Sequence, residues 1–438
     1  MASSKSGCSR MRRPHNMLGN WAPLCRRIAL LGCGLVLWCG RVDAQSSDTP
    51  DATDWPTVIS KLRQDSYQRP DNGQLRQQLA IAYNNYGVSL GNQGQWASAI
   101  QQLQEAINLD ATNGQFQRNL SNMYLNQAHD AFEHHQLQEA KASITQATTL
   151  NPKVADAYIL LGEIEYSSEK LKEAKAAWQK ALELDPNRTE VSDRLKQVTQ
   201  ELPVESKFER LTQAYFDLRY EEQLDRPVGF DIRDALLAAR REVGSDFSYW
   251  PTHKIVTLIY SAASFKALRQ ETPDWVGGQF DGKIRVPLPN GQLDQAAVKA
   301  ILFHEYTHAL IHDLATGKCP TWLNEGLAVY EEKKQHATPL TQLNKAYQEG
   351  RLVPWSQLSD QFSTSLPVDQ VALGYQESQS IVAYVVNRYG FWRIRRVLKA
   401  LGNGQPWESA LADEFHLKLA RIEVNWREWL PEFLQPSH

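Results

Sequence analysis

Three spaced alanine pairs do most to limit what this 438-residue chain can become. Ala99, Ala140 and Ala174 are each followed seven residues later by Ala106, Ala147 and Ala181. Five residues further on stand Ala111, Pro152 and Pro186, in the phrases AINLDA, ATTLNP and ALELDP. The second and third copies are 34 residues apart and the first and second 41, so the first helix of the second copy is predicted to be the longer. Tyr86-Gly87 and Leu161-Gly162 put a small residue where paired helices approach closely, and Gln127-Ala128 stands there in the second copy. Helical hairpins of this size cannot bury an apolar face alone, so they stack and share a core.

A 34-residue helix-turn-helix unit closing on proline resembles the tetratricopeptide repeat. The resemblance covers residues 73–188 in three copies. It implies a concave face that holds a peptide or protein partner. A spacer or support for the following domain is the other reading of the array.

The N-terminus carries a different signal. Arg26 and Arg27 precede the uncharged run Ile28 to Gly40, and Val42-Asp43-Ala44 follows it. A basic stretch, an apolar run of 13 residues and small residues at the cleavage positions make a signal peptide over 1–44. The run is short for a membrane span, which needs about 20 apolar residues. Cleavage removes seven basic residues and one acidic, leaving 40 against 49 and a net charge of −9. It also removes Cys8, Cys25, Cys33 and Cys39, so only Cys319 remains and no internal disulfide can form. The expected product is exported, periplasmic or secreted, and begins at Gln45. Its acidity argues against nucleic-acid or anionic-lipid partners, and no membrane span is expected after cleavage.

The rest of the chain divides by texture. Residues 45–72 read as a polar linker, and 189–228 as a charged helical cap and connection. From 229 to 336 the pattern is α+β: a helix over Asp231 to Arg241, a β-branched strand over Lys254 to Tyr260, a helix over Ser261 to Gln270, then an Asp281-Gly282 turn and an alternating strand that ends at Pro287. Residues 337–438 read as a helical C-terminal subdomain.

Between Gln295 and Leu314 no proline or glycine interrupts a helical pattern, and within it lies His304-Glu305-Tyr306-Thr307-His308. Residues four apart share a helix face about 6 Å apart along the axis, so two imidazoles there can hold one zinc ion. Glu305, beside the first histidine, can reach a water in the open coordination position. A third ligand must come from elsewhere. Thr321 is a candidate N-cap for a second helix that opens Trp322-Leu323-Asn324-Glu325. Glu325 follows His308 by 17 residues, and the small Gly326 and Ala328 let that helix lie close to the first. His312 completes a row with His304 and His308 but lies about 12 Å along the axis from His304, so a packing or solvent role fits it better. Cys319 sits in the loop next to Pro320, and Glu325 is the better match for a ligand.

HEYTHAL followed by WLNEGLA resembles the gluzincin metallopeptidases, in which HExxH is completed by a glutamate. The order of strand, glycine-rich hairpin, HExxH helix, WLNEG helix and helical tail resembles peptidase-MA-like domains attached to tetratricopeptide repeats, over residues 229–432. The resemblance implies a multidomain chain: an all-α repeat solenoid, then an α+β metallopeptidase domain with a helical C-terminal subdomain. It implies one zinc per chain on His304, His308 and Glu325, with Glu305 as general base. It also implies that an edge strand near Gly278, Ile284 and Val286 pairs with the substrate backbone. Tyr375, at the head of a downstream helix, matches the tyrosine that donates to the oxyanion in the aminopeptidase branch. This chain departs from the pattern in three places. The Gly-x-Met-Glu-Asn segment is absent, Val329 stands where thermolysin-like enzymes keep an aspartate, and Glu377-Ser378 replaces a Lys-Gly pair.

The expected function is an exported zinc metallopeptidase acting on a peptide or protein substrate, with a repeat array for partner or substrate binding. Two readings compete with it. One is a repeat-based protein-binding adaptor with an inactive peptidase-like domain, against which the intact Glu305 argues. The other is a zinc hydrolase of a non-peptide amide or ester.

Overall fold

The computed structural model describes residues 54–222, 226–268, 278–288, 295–363 and 365–435. The leader and the first part of the linker lie outside the described residues. The chain forms two compact bodies, with the division running through the first two strands.

The first body is a helical solenoid. Eight helices follow one another: α1 Trp55–Gln68, α2 Gly73–Asn92, α3 Trp96–Leu109, α4 Gly114–Glu133, α5 Leu137–Leu150, α6 Ala155–Ser167, α7 Leu171–Leu184 and α8 Thr189–Glu205. The alanines of the repeat are its core. Ala99, Ala106, Ala140, Ala147, Ala174 and Ala181 are all fully buried. The small residues work as spacers: a Cβ at Gly162 would stand 2.2 Å from Trp178 Nε1, and Ala128 fills the matching place in the second copy, fully buried. The extra seven residues of the second copy are in α4, which has 20 residues where α6 has 13.

Two elements differ from expectation. The segment read as a linker contains α1. Asp54 caps it by accepting the Thr57 N–H, Pro56 sits in its first turn, and Ile59 is buried in a cluster with Leu79 and Tyr83. The helical connection ends at Glu205 and gives way to strands β1 Glu209–Thr212 and β2 Phe216–Tyr220. The many charges there mask a period of two: Phe216, Leu218 and Tyr220 alternate and are buried.

The second body is α+β. A long helix, α9 Arg226–Phe247, leads to β3 Ile255–Ser261 and α10 Ala262–Leu268. Then come β4 Gln279–Phe280 and β5 Ile284–Leu288. The strand order is β1-β2-β3-β5-β4. β5 runs parallel to β3, with Ile259 opposite Val286, and antiparallel to β4, with Gln279 opposite Arg285. Pro287 does not end the strand: it stays in register with Tyr260, and β5 continues to Leu288.

Helix α11 Gln295–Ala315 packs on β5 and is enclosed by α9 and two later helices, α12 Thr321–Gln335 and α15 Phe391–Gly402. Leu302, Phe303, Tyr306 and Leu310 are fully buried along it, as expected of a helix with neighbours all round. After α12 Thr321–Gln335 the tail is helical: α13 Thr341–Gln348, a 3-10 helix over Trp355–Phe362, α14 Val368–Tyr389, α15 Phe391–Gly402, α16 Trp407–Phe415 and α17 Leu419–Phe433. Trp322 of α12 packs against Trp355 at 5.7 Å and Trp407 at 5.5 Å between ring centroids, and Trp355 reaches Trp426 at 6.0 Å. This aromatic cluster anchors the start of α12 to the tail. Among the described residues no helix is long and apolar enough to cross a membrane.

Candidate metal centre

Helices α11 and α12 build the site as a hairpin closed by the five-residue turn 316–320. The turn needs left-handed backbone at Thr316 and Gly317, with φ +46° and +68°. Helix α12 starts at Thr321 with Pro320, not Thr321, as its N-cap. The Pro320 carbonyl accepts the Leu323 and Asn324 N–H groups, and the Trp322 N–H reaches Ser359 Oγ at 3.5 Å.

His304 and His308 stand one turn apart on α11, with ring centroids 4.8 Å apart in an edge-on arrangement. Glu325 Oε2 lies 3.5 Å from His304 Nε2 and 3.6 Å from His308 Nε2. The three donor atoms all lie within 4.8 Å of one another. Two donors on one tetrahedral zinc ion, each at about 2.0–2.1 Å, stand roughly 3.4 Å apart. The spacing therefore suits a shared ion better than a hydrogen bond.

The outward nitrogens are engaged. His304 Nδ1 is 2.9 Å from Glu332 Oε2, and His308 Nδ1 is 3.0 Å from Asn324 Oδ1. Both rings are thus held at Nδ1 with Nε2 turned toward Glu325. Burial alone disfavours a charged His304, but the carboxylates of Glu325 and Glu332 beside it outweigh that and push the ring up to about 10. Burial keeps His308 below the usual imidazole range, helped by the charge on His304. Glu325 is held below the usual carboxylate range: its burial is more than offset by His308 and His304.

Glu305 is not one of the three donors. Its side chain is buried, and Oε2 has no hydrogen-bond partner. Burial pushes the carboxyl up to about 8; His304 opposes the rise, and the charges of Glu325, Glu332 and Asp281 add to it. Gly278 lies against it, so close that a Cβ there would sit 2.6 Å from Oε1.

The other expected site residues are placed unequally. Ile284 and Val286 are fully buried core residues. β5 also lies between β3 and β4, so the expected substrate strand is internal at Ile284 and the edge falls to Gln279–Phe280. An internal strand is covered on both faces, and Arg285 between Ile284 and Val286 is fully buried as well. Tyr375 is two turns inside α14, which begins at Val368, not at its head. Its ring meets Phe362 edge-on at 4.9 Å. Burial raises its hydroxyl, and the charges of Glu325, Glu305 and Glu332 raise it further.

His312 lies outside the donor group and packs edge-on against Phe280 at 5.7 Å. Cys319 is also outside it, and burial together with Glu325 pushes its thiol up. Sequence reasoning missed Glu332 and left Asn324 without a role. The usable signal for Glu332 was its place seven residues after Glu325, on the same helix face.

Comparison with known proteins fits this layout. Residues 270–432 match the model of the Peptidase MA superfamily. A tetratricopeptide-repeat model matches residues 125–189. No curated protein matches the chain. Among solved structures, the first TPR of Spaghetti (RPAP3) bound to the HSP90 peptide SRMEEVD is 26% identical, covering 29% of this chain and 94% of that one, with a TM-score of 0.22. The Arabidopsis OM64 TPR domain is 23% identical over 29% of this chain and 98% of its own, with a TM-score of 0.22. A crystal structure of MamA is 21% identical over 34% of this chain and 80% of its own, with a TM-score of 0.23. The chain thus carries a Peptidase MA superfamily domain and tetratricopeptide repeats.

Proposed function

We propose that this chain is an exported zinc metallopeptidase whose repeats hold a protein partner or substrate. The observation that carries the reading is the convergence of His304 Nε2, His308 Nε2 and Glu325 Oε2 beside a buried carboxylate, Glu305, with a free oxygen. The donor set is two imidazole nitrogens and a carboxylate, which suits zinc, and both imidazoles are already oriented through Nδ1. When bound, zinc supplies Lewis acidity toward a scissile carbonyl and an attacking water.

Glu305 is the general base. In its ionised form it takes a proton from the attacking water at Oε2, the oxygen without a hydrogen-bond partner, and passes it to the leaving amine. Tyr375 donates a hydrogen bond from its hydroxyl to the developing oxyanion; a phenol held neutral by its surroundings suits that role. The extended segment from Gly278 to Phe280 presents backbone beside Glu305 for an extended substrate. The adaptor reading differs in needing no base.

Glu305→Gln separates the two. It keeps the shape and the three ligands but cannot accept the proton. In the purified chain, cleavage of a peptide library should fall by about 10² or more while zinc content stays constant. Equal cleavage by parent and variant would sink the mechanism. Zinc binding without any cleavage by the parent, together with partner capture by the repeats, would put the adaptor ahead. Export is tested separately: N-terminal sequencing should find Gln45 first, and an intact Met1 would oppose it.

A further inference from the structure

Between Glu377 and Glu408 the chain has no acidic residue, yet it carries Arg388, Arg393, Arg395, Arg396 and Lys399. Four of these cations lie on α15. We propose that the outward face of α15 docks the protein on a bilayer that contains anionic lipid. The inference does not depend on the metal site.

Helix geometry builds the face. With about 3.6 residues per turn, Ile394, Val397, Leu398 and Leu401 fall together on the inner side and are buried. Trp392, Arg396 and Lys399, spaced four and three apart, form one exposed row opposite them. Arg393 and Arg395 flank the row, half-buried, and Arg388 is exposed just before Gly390. Every charged side chain of the helix is thus a cation. Trp392 stands among them 53% exposed, with the guanidinium carbons of Arg393 and Arg396 at 4.7 and 5.6 Å from its ring centroid. Glu414, itself buried, answers part of the charge, at 3.4 Å from Arg393 Nη1 and 3.0 Å from Arg396 Nε. Arg388, Arg395 and Lys399 have no ion-pair partner among the described residues.

The acidic net charge that argues against anionic lipid is an average over the whole chain, and at α15 the sign is reversed. Charges further away than a Debye length, about 10 Å, are largely screened, so the local cations decide. A row of cations on one helix meets a plane of phosphates in any register. Tryptophan settles at the headgroup level of a bilayer, where its ring is apolar-facing and its N–H stays wet. An acidic protein would satisfy the same cations only through carboxylates placed to match them.

The test uses the chain from Gln45, which keeps every described residue and lacks the basic, apolar leader that would itself seek a bilayer. Sedimentation with vesicles of phosphatidylcholine, alone or with about a third phosphatidylglycerol, measures binding. The parent should bind only the anionic vesicles, and raising the salt from about 0.1 M to 0.5 M should release it. Each cation near such a surface contributes about fivefold, so Arg388→Gln, Arg396→Gln and Lys399→Gln combined should weaken binding by about 30- to 100-fold. Trp392→Ala should weaken it by at least about threefold and leave the salt dependence in place. Lys61→Gln, Arg63→Gln and Arg76→Gln combined, three exposed cations of the solenoid, change the net charge equally and should alter binding by less than about twofold. Melting curves identify any variant that merely unfolds, and Trp392→Ala, which removes no charge, then carries the test. No binding by the parent, equal binding to both vesicles, or an equal loss in the solenoid variant would overturn the proposal. Retention of the parent on a polyglutamate matrix without vesicle binding would assign the face to an acidic protein and overturn the lipid reading.

Discussion

Gly326 approaches Ser378 so closely that a Cβ at position 326 would stand 2.7 Å from the Ser378 carbonyl oxygen and 2.8 Å from its carbonyl carbon. The contact is between α12 and the backbone of α14, so no flexible side chain can swing aside. It fixes the depth at which the neighbouring Glu325 meets the histidines. The Glu377-Ser378 pair that departs from the aminopeptidase pattern therefore serves as a seat for α12 in this chain.

Gly326→Ala should loosen that seat. Overpacking typically costs about 1–3 kcal/mol, against about 1 kcal/mol that alanine returns as the better helix former. A net loss on that scale lowers the melting temperature by a few degrees, about 2–4 °C per kcal/mol for a body of this size. Zinc affinity should fall with it, because α12 carries a ligand. Calorimetry and chelator competition check both. A variant as stable as the parent would show that α14 gives way at Ser378.

Gly278→Ala acts on the base and not on the ligands. The added methyl would meet Glu305 at Oε1, Cδ and Cγ, all within 2.9 Å. A carboxylate side chain can turn away, so the fold should survive while Glu305 leaves its place. Cleavage should drop by at least tenfold with full zinc retained. Normal cleavage would mean that the segment before β4 moves and not Glu305.

Much of this was legible in the sequence because its physics is local. The repeat could be read from its alanines, since each occupies a place too tight for a larger side chain. His304 and His308 could be paired because helix geometry fixes residues four apart. What depends on the packing of separate elements could not be read. Ile284 and Val286 looked like an accessible strand, but β4 covers one side of β5 and the core takes their side chains. Glu332 was hidden for a related reason: the expectation looked one turn beyond Glu325, and the antiparallel hairpin uses the second turn. The strands at 209–220 were obscured by their charges, which outweighed a short alternation.

The pH dependence of stability offers a check at a carboxyl outside the donor group. Glu377 is fully buried and accepts the Val353 N–H at 3.1 Å, and burial pushes its carboxyl from 4.5 up to about 8. Val353 and Arg427 pull the value down and Glu423 raises it, but burial dominates. The folded state then holds a proton that the unfolded chain has released. Its stabilising contribution is complete below about pH 4.5 and is lost as pH rises toward 8. Glu305 and Glu331 are raised too and slope the same way, so the diagnostic quantity is a difference. Melting temperatures measured from pH 5 to pH 8 should fall less steeply in Glu377→Gln than in the parent. Parallel slopes would mean that Glu377 is ionised in the folded chain.

The last prediction concerns which side chains hold the ion. His304, His308 and Glu325 bring three donor atoms within 4.8 Å of one another, and neither His312 nor Cys319 belongs to the group. Removing one of three protein donors leaves too few to compete with water for zinc at micromolar levels. His304→Ala, His308→Ala and Glu325→Ala should each lose most of the bound metal, from about one zinc per chain. His312→Ala should keep it, since that ring packs on Phe280. Cys319→Ala should keep it as well, because a thiol pushed up by burial stays protonated and ligates poorly. Elemental analysis of the five variants after dialysis decides the matter. Full zinc in Glu325→Ala would remove that residue from the ligand set and turn attention to Cys319, the half-buried thiol that feels the charge of Glu325.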